Sequence, residues 1–233
     1  LEATLESTAD GILVVGEDGQ VVHANSRFAE LWRIPPELLA TRDDAQLLAH
    51  VMGQLQQPEA FATKVQELYG TDREDFDTVG FVDGRVFERY SRPLMRDAKV
   101  AGRVWSFRDI TQRHLAETRL KLDEARLRAL AELSGMTHAS LRELTEFAME
   151  AGVSLTNSTM GYLAFTNEDE SVLTMHAWSR TAMEQCAITE KPIIYPVATT
   201  GLWGEAVRQR RPVITNDYAG PSPLKRGYPT GHV

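Results

Sequence analysis

Few residues in this 233-residue chain could do chemistry, and they are scattered. The one thiol, Cys186, could attack an electrophile, but a thiolate metal site needs several ligands and a redox cycle needs a resolving thiol. It reads as a structural cysteine. Neutral imidazole ligates metals and titrates near neutrality, so His23 and His176 in strand-like runs, His50 in a helical run and His138 ahead of Ser140-Leu141-Arg142 are the next candidates. Each is an isolated histidine, and no metal site is expected. Arg208, Arg210 and Arg211 could meet a phosphate, although a solvated helix end favoured by the dipole accounts for them. There is no phosphate-binding Gly loop, His-Glu-x-x-His, Cys-x-x-Cys or Gly-x-Ser-x-Gly. The chain reads as non-enzymatic.

Lys+Arg 25 against Asp+Glu 33 leave a formal charge of -8, which favours neither nucleic acid nor an anionic membrane. A hydrophobic share of 42% supports a sizeable core, and at roughly 100 to 150 residues per domain two modules fit. No apolar run approaches the roughly 18 residues of a membrane span. With one cysteine and no signal-peptide pattern, a cytoplasmic protein is expected.

The elements follow from pattern and turn chemistry. Runs at 12–15 and 21–24 flank Asp18-Gly19, a hairpin signal, and Asp83-Gly84 joins Phe76–Val82 to Arg85–Ser91 in the same way. Asn25 or Ser26 caps a helix bearing Phe28, Leu31 and Trp32, ended by Pro35-Pro36. Leu47, Leu48, Val51 and Leu55, then Phe61, Val65 and Leu68, recur at helical spacing on either side of Pro58. Val100–Ile110 reads as the last strand of this module. Residues 112–133 hold no Gly or Pro and predict a connecting helix. Leu115, Leu122, Ala129 and Leu133 form one strip of it, and Ala116, Leu120, Leu127 and Leu130 adjoin it. So broad an apolar arc predicts a connecting helix that packs against its own domains and also contacts a second copy in a parallel helical homodimer, an ordinary terminal helix on a monomer being the alternative.

In the second module the pattern predicts a helix at Leu141–Leu155, strands at Tyr162–Thr166 and Val172–Trp178, a short helix at Leu202–Arg208 and a strand at Pro212–Thr215. The Gly- and Pro-rich stretch from Tyr218 reads as loop.

Ala9-Asp10-Gly11-Ile12, Asp18-Gly19, Asn25, Phe28 and the closing Asp109-Ile110-Thr111 together resemble a PAS sensory domain over residues 1–111. That resemblance implies an α+β fold, a five-stranded antiparallel sheet with helices on one face. It further implies that Asp109, Ile110, Thr111 and Arg113 transmit a signal into the helix at 112–133, with Asp109 and Arg113 placed i, i+4. Residues 134–233 resemble a GAF domain through Gly201-Leu202-Trp203-Gly204-Glu205-Ala206-Val207, Arg211-Pro212-Val213-Ile214 and Asn216-Asp217-Tyr218. That family adds two strands and a closing helix, so this module is expected to be truncated.

Trp32, His50, Tyr90 and Trp105 in the first module and His176 and Trp178 in the second are the candidates for a ligand pocket. No pattern names the ligand or a cofactor. His50 lies where haem-binding PAS domains hold iron, and flavin-linking ones need a cysteine in a helix where none stands here. The stretch from His138 is similar to a kinase phosphoacceptor helix but lacks its acid and Pro. These readings converge on a sensory input region of a bacterial-type signalling protein, with a histidine kinase, or alternatively a diguanylate cyclase, as output in a longer parent chain. A ligand-free dimerisation scaffold and a GAF-fold thiol reductase are the alternatives of a different class, the second disfavoured by the single cysteine.

Overall fold

The computed structural model describes residues 2–97, 99–185, 194–216 and 220, in two compact units, Leu1–Arg119 and Leu120–Val233. Cys186 and the segment from Tyr218 other than Gly220 lie outside the described residues.

The first unit begins with α1 (Glu2–Glu6), β1 (Gly11–Gly16) and β2 (Val21–Ala24). Four helices follow, α2 (Ser26–Trp32), α3 (Pro36–Ala40), α4 (Asp44–Met52) and α5 (Pro58–Leu68), then β3 (Asp75–Gly80), β4 (Val86–Arg96) and β5 (Lys99–Asp109). The strands pair antiparallel in the order β2-β1-β5-β4-β3. Both Asp-Gly turns are present, Gly19 at φ 75 and Gly84 at φ 87, a region where a Cβ is strained.

Asn25 explains how three segments meet. Its Oδ1 accepts from the amides of Ile12 and Phe28, capping α2, while Nδ2 donates to the carbonyls of Leu5 and Asp10. Leu13, Val15, Phe87, Trp105 and Phe107 face inward from the sheet and pack against Phe28, Trp32, Leu47, Val51, Phe61 and Val65 from the helices. Gly102 permits the close approach of β1 and β5, since a Cβ there would stand 2.3 Å from the Val15 carbonyl oxygen. Arg103 is buried as well. It donates to Ser91 Oγ and to the carbonyls of Leu68 and Arg73, tying the end of α5 and the loop after it to the sheet.

The connecting helix, α6, spans Thr111–Gly135 and contains no buried residue. The second unit continues with α7 (Leu141–Leu155), β6 (Tyr162–Thr166), β7 (Val172–Trp178), α8 (Arg180–Gln185), β8 (Ile194–Pro196) and α9 (Leu202–Gln209). Ser140 and Glu143 form a capping box on α7, and β6, β7 and β8 make a three-stranded antiparallel sheet.

Three expectations change. Pro212–Thr215 is not a strand: Pro212 has no N–H to donate, and Ile214 is 83% exposed. Leu55 lies beyond α4, in an isolated bridge to Phe81. His138 precedes the Ser140 cap, so the stretch that is similar to a phosphoacceptor helix has its histidine outside α7.

Candidate functional site

Between the helices and the inner face of the first sheet lies an apolar cavity of about 30 Å³, walled by Phe28, Trp32, Leu47, Phe61, Val65, Trp105 and Phe107 among others. Its size suits a water molecule or a very small group. Trp32 is 1% exposed, and its indole N–H has no hydrogen-bond partner among the described residues. One polar pair reaches the same wall. The Tyr69 hydroxyl donates to Asp44 Oδ2 at 2.5 Å. Burial pushes the Asp44 carboxyl above its ordinary range, and the Tyr69 bond only partly offsets that. Burial also raises the Tyr69 phenol, with the Asp44 carboxylate adding to the effect.

A hydrogen-bonded junction leads from this wall to α6. Gln54 Nε2 donates to the Trp32 carbonyl at 2.8 Å, and the Arg85 guanidinium donates to the Leu31 carbonyl and to Gln54 Oε1. Arg85 lies over the Phe81 ring, 4.3 Å from its centroid. Its neighbour Val86, the first residue of β4, receives Ile110 N at its carbonyl and donates its own amide to Thr111 Oγ1 at 3.0 Å. Asp109 Oδ1 accepts from the Thr111 amide at 2.9 Å, and Ile110 is buried. Arg113 reaches across to Glu88 on β4 and lies 3.9 Å from Glu117. Asp109 and Arg113, placed i, i+4, thus turn to different partners, because Asp109 ends β5 and bonds to Thr111 while Arg113 on α6 reaches β4.

Comparison with known proteins agrees with this architecture. Residues 5–115 match the model of the PAS fold, and residues 138–233 match that of the GAF domain. The chain is a PAS domain followed by a GAF domain. It is 57% identical over 126 residues to the methyl sulfide methyltransferase-associated sensor of Methanosarcina acetivorans, a match covering 54% of this chain and 13% of that relative's length. Among solved structures, the PAS domain of Bordetella pertussis BvgS is matched with a TM-score of 0.39 and 14% identity, over 53% of this chain and 93% of that one. The sensor region of a sensor histidine kinase is matched with a TM-score of 0.37 and 18% identity, over 45% and 40% of the two chains. PAS and GAF domains are sensor-type modules, and this chain is a sensory input region for signalling. Among the described residues, no helix is long and apolar enough to cross a membrane, and no group of His, Cys, Asp and Glu could hold a metal ion.

Of the residues singled out in sequence, the PAS cavity brings together Trp32 and Trp105 and leaves out two others. His50 sits on α4 with Nε2 3.2 Å from the Arg33 carbonyl. Tyr90 alternates with the inward Arg89 and Ser91, so it stands on the other sheet face, where its hydroxyl donates to Glu74. In the GAF domain, His176 and Trp178 lie on β7 beside the rings of Phe165 and Tyr162. The arginines near α9 are engaged within the domain: Arg208 donates to the carbonyls of Val197, Thr200 and Gly201, and Arg210 pairs with Glu170. Sequence reasoning missed Asp44, Tyr69 and Arg85. Asp44 and Tyr69 stand at helix ends outside the apolar repeat, and Arg85 follows a turn in which a charge is ordinary.

Proposed function

We propose that the PAS cavity accepts a small ligand and that its effect reaches α6 through Arg85 and Thr111. What supports this reading is the line of bonds from the cavity wall to the helix: Trp32 and Leu31 carbonyls, Gln54 and Arg85, the first residue of β4, then Thr111. A ligand that moves Trp32 moves the carbonyls those side chains hold, and α6 shifts only if the two arrangements differ in affinity for the ligand. The exposed leucines of α6, Leu115, Leu120, Leu127 and Leu130, then pack against a second copy of the helix. The dimer passes the change to a histidine kinase output domain in a longer cytoplasmic protein.

Two measurements on the full chain test this. Trp32→Phe, which alters the cavity wall, is expected to raise amide hydrogen exchange at Gln112–Leu115, and Arg85→Met is expected to abolish that response. An equal response in both backgrounds would rule out the route through Arg85. Sedimentation is expected to show a dimer that Leu120→Lys with Leu127→Lys converts to monomer at unchanged helix content, and a monomeric parent chain would remove the pairing.

A further inference from the structure

The apolar wall of the PAS cavity carries a single charge. Among the described residues that line it, Asp44 is the one charged side chain, and aromatic rings from Phe28, Trp32, Phe61, Tyr69, Trp105 and Phe107 supply much of the rest. The partners of that carboxylate include no cation. Its Oδ2 accepts the neutral Tyr69 hydroxyl. The first amides of α4, those of Ala45 and Gln46, are taken by Asp43 Oδ1 and are not available to Asp44. No lysine, arginine or histidine pairs with Asp44 among the described residues, and the charge that acts on it is a second carboxylate, Asp43.

The nearby arginines do not fill this role. Arg89 and Arg103 lie over the Trp105 ring, 5.6 and 5.5 Å from its centroid, but neither is on the cavity wall. Arg89 is held by Asp77, and Arg103 by the carbonyls of Leu68 and Arg73. A partly buried carboxylate without a cation is costly, and here it stands beside aromatic rings, whose faces attract cations. Together these features suit a positively charged guest. The volume of about 30 Å³ sets its size, since one water-sized group needs roughly 10 to 15 Å³. One nitrogen and one carbon would fill it.

We propose that the PAS cavity binds a small alkylammonium ion of methylammonium size, its N–H groups donating to Asp44 and its methyl group packed against the aromatic rings. The proposal names a ligand class and rests on the reading that this cavity is a ligand site. The full chain, titrated with methylammonium chloride and followed by the indole N–H NMR signals of Trp32 and Trp105, is expected to show saturable shifts. Methanol, neutral and with the same number of heavy atoms, is expected to bind at least tenfold more weakly. Asp44→Asn keeps the side-chain shape and removes the charge. It is expected to weaken methylammonium binding at least tenfold and to change methanol binding less than threefold. The comparison of the two molecules on the unaltered chain decides the matter even where the variant does not fold. Methanol binding as tight as methylammonium would overturn the cation and leave the cavity as a ligand site. Undiminished binding by folded Asp44→Asn, or the same shifts with sodium chloride at equal ionic strength, would overturn the assignment as well. No saturable shift with either molecule would remove both the cation and the cavity as a site for so small a ligand.

Discussion

Two spaces lie on adjoining faces of helix α5, with Phe61 reaching both, and they treat the same chemical group in opposite ways. On one side, Phe61 and Val65 help wall an apolar cavity whose polar pair is Asp44 with Tyr69. On the other, Ala60 and Lys64 wall a polar cleft in which Asp77 meets Arg89 and Lys64. Burial raises the Asp44 carboxyl, whereas at Asp77 the same burial is outweighed by bonds and charge from Arg89 and Lys64, which hold it below its ordinary range. A carboxyl beside a PAS pocket is thus either a costly charge or a well-held one, according to whether a cation reaches it.

The largest break in the comparison comes from the apolar side. Trp32 lies within 5.0 Å, centroid to centroid, of both Phe81 and Phe107, and Trp32→Ala is expected to cost about 3–5 kcal/mol in denaturant unfolding. Next, Asp77→Asn leaves Arg89 buried without its carboxylate and is expected to cost about 3 kcal/mol at pH 7. Because the folded Asp77 carboxyl is depressed, its contribution is present above the unfolded value of about 3.9 and is lost as pH falls through the folded value. The loss caused by Asp77→Asn should therefore shrink in acid. Asp44→Asn is the smallest and has the reverse sign. With its folded carboxyl raised, Asp44 in its charged form opposes folding at neutral pH, and that cost fades as pH falls toward about 3.9. The variant is expected to gain up to about 1 kcal/mol at pH 7 and nothing at pH 3. A gain from Asp77→Asn, or a loss from Asp44→Asn at pH 7, would erase the contrast.

The parts of this molecule that sequence made legible are those set by local chemistry. Asp18-Gly19 and Asp83-Gly84 announced their hairpins because only a residue free at positive φ suits those turns. In the GAF domain, α7, β6 and β7 fall at the predicted bounds, since capping and period change sharply there. Short β8 gave no such signal: three residues hold too little pattern. Trp32 and Trp105, chosen by size alone, line the apolar cavity, whereas Tyr90 has the outward parity of its strand. The same parity was the available clue to Arg89, which alternates inward with Phe87 and Ser91. Lys64, Asp77 and Asp44 were invisible because their partners lie on other elements, and no spacing within one element announces such a meeting.

The bonds of Arg103 carry one more consequence. It fixes the Leu68 end of α5 and the turn after it to the sheet, while the Pro58 end has no side-chain cap. That end is held as well, because Gln56, just before Pro58, donates its amide to the Gly80 carbonyl and its Nε2 to the Phe81 carbonyl. The helix is thus a beam fixed at both ends, and a group pressing on its cavity face would bow the middle, where Phe61 and Val65 stand, rather than swing it.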